Sequence, residues 1–233
     1  METTVHSLED ELGDIVAKAR VGCGLTVHAL AETVGMSSGD ISSIEAYKLR
    51  PDREHIERIA ESLGLDPGKL LVAAEETWVP AEPDFSTVEA DVTKITVPYG
   101  AYGENCYVAA CPQSCKCAIV DPGGAVEEIA AFIDERDLIP RFALITHAHT
   151  DHIGGLKQLA ERFPELTLVS HTLERDSVTR GTRNRWEPAK DRIGLKMGSL
   201  NVVPLATPGH TQGSCCYLVD GVCFLGDTLF AGS

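Results

Sequence analysis

The chain is short of positive charge and of long apolar runs. It has 20 lysines and arginines against 35 aspartates and glutamates, a formal net charge of −15. That balance argues against general affinity for nucleic acid or anionic membranes, because both attract cationic surfaces. No apolar run approaches the ~20 residues of a membrane span, and the acidic N-terminus METTVHSLEDE is unlike a signal peptide. These absences predict a cytoplasmic protein with no membrane partner.

Cysteine is not scarce, since the chain has eight. Without an export signal, the thiols are expected to be reduced rather than paired in disulfides. Cys111, Cys115 and Cys117 cluster in CPQSCKC, between two strand-like runs. Their spacing fits no standard zinc motif, so a hairpin loop with free thiols is favoured over a structural zinc site.

The segment THAHTDHIGG concentrates residue types that bind metals. Four of them lie within six positions: His147, His149, Asp151 and His152. The preceding apolar run, RFALI, predicts a buried strand, and residues two apart at a strand tip point the same way. His147 and His149 can therefore share one metal ion, while Asp151 and His152 can turn towards a second. Imidazole nitrogens with a carboxylate suit zinc, and iron or manganese is also compatible.

Two further ligand-type residues follow downstream. His210 lies in TPGHTQGS, after the strand-like run LNVVPLA, and Asp227 follows the apolar run VCFLG. Each comes at a predicted strand end beside glycine or another small residue, which lets the backbone approach an ion closely. Because open sheets gather their sites at strand ends, we expect all six residues to converge in one pocket.

These motifs resemble those of the metallo-β-lactamase superfamily. HAHTDH is similar to its HxHxDH motif, PGHT to its third-histidine motif and GDTLFAGS to its bridging-aspartate motif, while ENCYV and IVDPGG are softer matches. The resemblance covers about residues 91–233 and is strongest to the glyoxalase II branch, which hydrolyses thioesters. It implies an α/β fold of the αββα-sandwich type.

The resemblance also implies how the ligands are shared. The six residues would serve one or two zinc ions, with His147, His149 and His210 at the first, Asp151 and His152 at the second, and Asp227 at both. Asp151 would also orient the attacking water as a catalytic residue. The family has another second-site histidine in a GHG-type segment after LFAGS, whereas this chain stops at Ser233, within that motif. We therefore expect a partial domain, incomplete at its C-terminus, that is impaired as a hydrolase by itself.

Residues 8–72 have a different sequence pattern, which is typical of helices. Apolar residues recur at helical spacing, and polar turns divide the segment into five helices. Four residues can each cap the start of a helix: Thr26, Ser37, Asp52 and Asp66. Gly35 and Gly64 can each end one.

This order of helices resembles the Cro/repressor-type helix-turn-helix domain, and the matching segments are GLTVHALAETVGMSSGDISSIE and RPDREHIERIAESLGLDPGKLL. The resemblance implies that the helix beginning at Ser37 reads the major groove of DNA, with Ile41 and Ile44 facing inward. Four serines would then be candidates to face the groove: Ser37, Ser38, Ser42 and Ser43. An ion pair between Arg20 and Glu45 is implied as well.

The charge of this module does not decide whether it binds DNA or a protein. Residues 1–72 hold seven lysines and arginines against thirteen acidic residues, and Asp40 on the reading helix would repel a phosphate backbone. Lys48, Arg50 and Arg53 form a small cationic group just past that helix. Sequence-specific DNA binding and docking of a protein, including a second copy in a homodimer, both stay open.

The difference between these two sequence patterns predicts two domains. A helix-turn-helix domain spans residues 1–72, a linker rich in proline and acidic residues spans 73–90, and a partial metallo-β-lactamase-like domain spans 91–233. Trp78 in the linker can dock on one of the domains.

The predicted function is hydrolysis of a small-molecule thioester or ester by metal-activated water. The family resemblance leaves one alternative enzyme open, a persulfide dioxygenase whose single iron would be held by His147, His210 and Asp227. A ligand-sensing transcriptional regulator is the other alternative, because fold does not decide function.

Overall fold

The structure is a computed structural model that describes residues 11–77, 83–99 and 102–230. These residues fall into two compact units, a helical one within 11–77 and a mixed one that runs from 83 to 229. The domain boundaries drawn from the sequence, at residues 72 and 91, stay predictions. Residues 8–10 of the predicted first helix, Trp78 and Ser233 lie outside the described residues.

The first unit has the five helices that the sequence predicts. They are α1 (Leu12–Gly22), α2 (Val27–Val34), α3 (Ser38–Glu45), α4 (Arg53–Leu63) and α5 (Pro67–Ala74). Each predicted cap accepts a hydrogen bond from a backbone N–H of the first turn: Thr26, Ser37, Asp52 and Asp66. Gly35 and Gly64 end α2 and α4 in the left-handed conformation, with φ of 74° and 70°, where a side chain would be strained.

An apolar core joins these helices. Ile41 and Ile44 of α3 are fully buried in it, as predicted, together with Leu30 of α2 and Ile59 of α4. The opposite side of α3 is thereby left at the surface, as a helix that reads a groove requires.

The predicted pair of Arg20 and Glu45 is present and links α1 to the end of α3. Arg20 Nε donates to Glu45 Oε1 at 2.6 Å and Nη2 donates to Oε2 at 3.0 Å, so both carboxylate oxygens are engaged. Arg20 Nη1 also donates to the carbonyl of Leu25 at 2.9 Å. Both side chains are only 14% exposed, so removing one charge would leave the other poorly solvated.

We expect Glu45→Gln to lower the free energy of unfolding of the helical unit by about 3 kcal/mol, because Arg20 would lose its charged partner. Urea unfolding of the full chain, followed by hydrogen exchange in peptides from residues 11–77, measures the loss. Glu57→Gln is the matched control, since Glu57 pairs with Arg53 on an exposed face of α4 and should cost under about 0.5 kcal/mol. Equal losses in the two variants would contradict the assignment.

The second unit contains two sheets. The six-stranded sheet has the order β1 (Asp91–Tyr99), β2 (Tyr102–Ala110), β3 (Lys116–Val120), β4 (Ile139–Leu144), β5 (Thr167–Ser170) and β6 (Trp186–Pro188). Strands β1 to β3 are antiparallel, and β3 to β6 are parallel. The four-stranded antiparallel sheet contains β7 (Leu195–Met197), β8 (Leu200–Ala206), β9 (Cys215–Val219) and β10 (Val222–Phe224), in the order β10-β9-β8-β7.

Helices fill the crossovers between the parallel strands. They are α6 (Val126–Glu135), α7 (Thr150–Ile153), α8 (Leu156–Arg162) and α9 (Arg175–Val178), with a short 3-10 helix at Thr172–Glu174. A second 3-10 helix, Gly226–Thr228, follows β10. Ile133 of α6 and Leu159 of α8 pack on one face of the six-stranded sheet. The other face packs on the second sheet, where Leu144 and Tyr217 share a core. The described layers are thus helix, sheet and sheet, and the α/β class predicted from the sequence is confirmed.

The hairpin between β2 and β3 carries the loop from Cys111 to Cys115, and the cysteines of the chain are free thiols, as predicted. None of the described helices has the length and apolar character that crossing a membrane requires.

Candidate metal centre and reading helix

The candidate metal ligands follow strand ends that the topology brings together. His147 and His149 come after β4, a strand whose last residues are fully buried. His210 lies in the loop between β8 and β9, and Asp227 follows β10. Parallel strands deliver their carboxyl ends to one edge of a sheet, and the packed second sheet supplies the other two residues to the same place.

Four ligand atoms converge at this edge. His149 Nδ1 lies 3.0 Å from His147 Nε2 and 2.9 Å from His210 Nε2. Asp227 Oδ2 lies 3.6 Å from His147 Nε2 and 3.2 Å from His210 Nε2. All four atoms are within 4.8 Å of one another. Ligand atoms of a tetrahedral zinc, each about 2.0 Å from the ion, are about 3.3 Å apart, so the donor set and its spacing fit such an ion.

Asp227 faces two groups at once. Its Oδ2 faces His147 and His210, whereas its Oδ1 lies 3.0 Å from His152 Nε2. Asp151 Oδ2 is 3.7 Å from the same nitrogen of His152. A carboxylate placed in this way can bridge two ions. The distances given above also show that all six predicted ligands lie in one place. Their role as metal ligands stays a prediction.

Asp121 is a residue of the candidate site that the sequence reasoning missed. It is buried and accepts hydrogen bonds from the Thr146 backbone N–H at 2.8 Å and the Thr146 hydroxyl at 2.7 Å. His152 Nδ1 lies 3.1 Å from the same carboxylate, which leaves Nε2 directed at Asp227. A signal for its position was present, because Asp121 follows the apolar run CAIV two residues before Gly123, much as Asp227 follows an apolar run.

Thr146 orients the histidine that follows it. Its hydroxyl proton is directed at Asp121, so the hydroxyl oxygen, 3.1 Å from His147 Nδ1, accepts the proton of that nitrogen. This leaves Nε2 of His147 as the ligand atom, an arrangement common among histidines that bind metals. The hydroxyl of Thr211, the residue after His210, donates to Glu174 instead.

Gly123 explains why IVDPGG accompanies the histidine motif. A Cβ atom at Gly123 would lie 1.4 Å from the backbone oxygen of Asp151. The loop after β3 and the start of α7 are therefore packed backbone to backbone, which only glycine permits. This contact fixes the segment that carries Asp151 and His152.

Electrostatics divide the histidines into two kinds. Burial lowers the pKa of His147 to about 4, so this imidazole is neutral at pH 7 and ready to bind a metal. Burial acts in the same direction on His152, but hydrogen bonds to Asp121 and Asp227 outweigh it and raise the pKa of His152 to about 11. The pKa of Asp227 is lowered in spite of burial, because it faces His152, His147 and His210. A metal at the second position would have to displace the proton of His152.

Glu104, in the ENCYV segment of β2, is a second residue that sequence reasoning left without a role. It is 8% exposed, and neither of its carboxylate oxygens has a hydrogen-bond partner among the described residues. Burial, followed by repulsion from Asp121, raises its pKa from 4.5 to about 9. The group therefore keeps its proton at neutral pH.

This raised pKa predicts how stability depends on pH. Between pH 4.5 and about 9 the folded state holds a proton on Glu104 that the unfolded state releases. The contribution of this group to stability is therefore full below pH 4.5 and falls as pH rises, by at most about 1.4 kcal/mol per pH unit. Glu104→Gln stays neutral and lacks this dependence. In urea unfolding of metal-free protein, the variant should gain stability relative to wild type between pH 5 and pH 8. A difference that does not change with pH would show that Glu104 ionises normally.

Most of the four serines predicted to face a DNA groove make hydrogen bonds within the helical unit. The Ser37 hydroxyl accepts from the Asp40 N–H and donates to the Asp40 carboxylate, at 3.0 and 2.8 Å. The Ser43 hydroxyl donates to the carbonyl of Gly39 at 2.7 Å, and that of Ser38 lies 3.4 Å from His28 Nδ1. Ser42 is exposed. The same contacts turn Asp40 towards the start of α3, where the helix dipole favours a negative charge.

His171 lies outside the metal cluster. It caps the 3-10 helix after β5, where its Nδ1 accepts from the Leu173 N–H at 3.3 Å. This histidine therefore provides a control for substitutions in the cluster.

Comparison with known families gives two matches. A sequence model of the metallo-β-lactamase superfamily matches residues 99–233, and a helix-turn-helix model matches residues 16–70. Together, the two matched ranges include every candidate site residue.

Individual relatives agree with the first match. A hydroxyacylglutathione hydrolase of Salmonella arizonae is 38% identical over 117 residues, 50% of this chain and 44% of that protein. One from Klebsiella pneumoniae is 35% identical over 139 residues, 59% of this chain and 51% of that protein. The chain thus spans about half the length of the curated relatives it matches. The crystal structure of ETHE1 from Myxococcus xanthus is similar with a TM-score of 0.50 and 25% identity, covering 60% of this chain and 59% of that one.

Proposed function

The chain belongs to the metallo-β-lactamase superfamily, and from this premise we propose that it is a metal-dependent hydrolase of a small-molecule thioester or ester. The observation that carries the proposal is the convergence of His147, His149, His210 and Asp227, whose ligand atoms lie within 4.8 Å of one another. Three imidazoles and a carboxylate form a donor set that suits zinc, with iron or manganese as alternatives.

Different residues would have different roles in such a centre. His147, His149 and His210 would hold the first ion and Asp227 would face both positions. When bound, a divalent ion supplies hydroxide near neutral pH and stabilises negative charge on the oxygen of the substrate. Asp151, whose carboxylate is 3.7 Å from His152 Nε2, would accept a hydrogen bond from the attacking water and so orient it. Asp121 would keep His152 in place throughout.

The thioester assignment rests on the relatives. Two of them are hydroxyacylglutathione hydrolases, whose named substrate is a thioester of glutathione, and each matches about half of this chain. We extend that substrate class to this protein because the motifs that converge in the structure lie within residues 99–233, which match the superfamily model.

Activity of the metal-loaded full chain on a hydroxyacyl thioester of glutathione tests the enzyme proposal. We expect hydrolysis to depend on added zinc, iron or manganese, and His147→Ala to lose at least about 100-fold in kcat/KM, because a ligand is removed. His171→Ala, which changes a histidine outside the cluster, should retain activity. Oxygen uptake with a persulfide in place of thioester hydrolysis would favour the dioxygenase, and equal losses in both variants would refute the assignment of the centre.

The helical unit supports a further part of the proposal, that the protein binds DNA through α3. The fold places Ser42 at the surface of this helix, and Lys48 and Arg50 are exposed just beyond its end. Cations in this position can contact phosphates beside a groove. Docking of a protein, including a second copy, is the competing use of the same surface.

DNA selection with the full chain, followed by binding at several salt concentrations, separates these uses. We expect a preferred sequence, and the double change Lys48→Ala with Arg50→Ala should weaken binding at least about 10-fold and reduce the salt slope by nearly two. Lys69→Ala, which removes an exposed cation from α5, should have little effect. Selection that yields no preferred sequence would instead favour protein docking.

A further inference from the structure

The loop that carries His210 is closed by its own hydrogen bonds. The N–H of Thr207 donates to the carbonyl of Ser214 at 3.0 Å, which joins the two ends of the loop. Inside it, the N–H of Thr211 donates to the Ser214 hydroxyl at 3.0 Å. These bonds shape the loop, but none of them fixes it against the segment after β5.

A carboxylate from that segment supplies such a contact. Glu174, the last residue of the 3-10 helix after β5, accepts a hydrogen bond from the Thr211 hydroxyl at 2.7 Å. The two residues are 37 positions apart in sequence, and they join the six-stranded sheet to a loop of the four-stranded one. A hydrogen bond of this length between two separate segments is suited to hold a loop at the surface.

Gly213 shows how closely the carboxylate packs on the loop. A Cβ atom at Gly213 would lie 2.5 Å from Glu174 Oε1 and 2.7 Å from its Cγ. The N–H of Gly213 also donates to the Thr211 hydroxyl oxygen, at 3.2 Å. The Glu174 side chain therefore lies against Thr211 and Gly213, the first and third residues after His210.

His210 is more exposed than His147. The side chain of His147 is 1% exposed and is held by Thr146, whereas that of His210 is 32% exposed. The position of the His210 imidazole depends on the loop that carries it as well as on its neighbours His149 and Asp227. The contact between Glu174 and Thr211, the residue next to His210, is thus placed to determine where the third imidazole lies.

We propose that Glu174 is a positioning residue for the His210 ligand, acting through Thr211 and Gly213. The effect on the metal rests on the proposed metal centre, whereas the effect on the loop does not. Glu174→Ala removes the acceptor, Glu174→Gln keeps an acceptor of the same shape, and Gly213→Ala pushes the carboxylate away without removing it. Asp176→Ala, an exposed acidic residue on the adjoining α9, is the matched control for charge.

The loop is tested first in the metal-free full chain, by hydrogen exchange in the peptide covering residues 207–214. Glu174→Ala and Gly213→Ala should speed exchange at least about 10-fold there, with Glu174→Gln close to wild type and Asp176→Ala unchanged. In the cobalt-loaded protein, Glu174→Ala should shift the visible absorption spectrum and weaken the first metal by about 10- to 100-fold, and Glu174→Gln should restore both.

The two readouts separate this inference from the function on which it builds. If the wild-type chain binds no cobalt or zinc, the proposed metal centre is refuted. Faster hydrogen exchange in Glu174→Ala would still support the positioning of the loop. Unchanged exchange and an unchanged cobalt spectrum in Glu174→Ala would overturn the role of Glu174. Equal effects of Glu174→Ala and Asp176→Ala would overturn it as well, because they would point to a general effect of charge.

Discussion

The candidate metal centre depends on the buried carboxylate of Asp121. It accepts the backbone N–H and the hydroxyl of Thr146, and it lies 3.1 Å from His152 Nδ1. One side chain thereby orients His147, through Thr146, and His152 directly. Burying a carboxylate is costly unless its oxygens are paired, and here each hydrogen bond that pairs them also aims a ligand. The contact between Gly123 and the backbone of Asp151 also fixes the loop after β3 against the start of α7.

The sequence predicted the ligands because each one follows a recognisable apolar run. The β4, β8 and β10 runs, the helix caps and the Arg20–Glu45 pair were all predicted from local pattern or family motif, and the structure has them. The roles of Asp121, Glu104 and Glu174 were not predicted, since they depend on which strand ends meet across the sheets. Distances of 25 to 37 residues along the chain separate Asp121 from Thr146 and Glu174 from Thr211, and no local pattern encodes such contacts.

The two units contrast in how they use polar side chains. In the metal centre, buried hydrogen bonds aim imidazoles at a common point. In the helical unit, the hydroxyls of Ser37 and Ser43 satisfy backbone groups at the start of α3 and within it. Capping explains why the sequence is rich in serine there, and it leaves Ser42 and the cations beyond α3 as the groups available to a partner. A helix-turn-helix fold alone therefore does not decide between DNA and protein.

X-ray absorption at the zinc edge of the zinc-loaded full chain tests the central claim most directly. Eight free cysteines compete for the ion in principle, and sulfur ligands at about 2.3 Å are readily told from nitrogen or oxygen ligands near 2.0 Å. The structure predicts a shell of nitrogen and oxygen only, with about three imidazoles at the first zinc, and the loss of one of them in His147→Ala. Sulfur in the shell, or the same number of imidazoles in that variant, would contradict the centre described above.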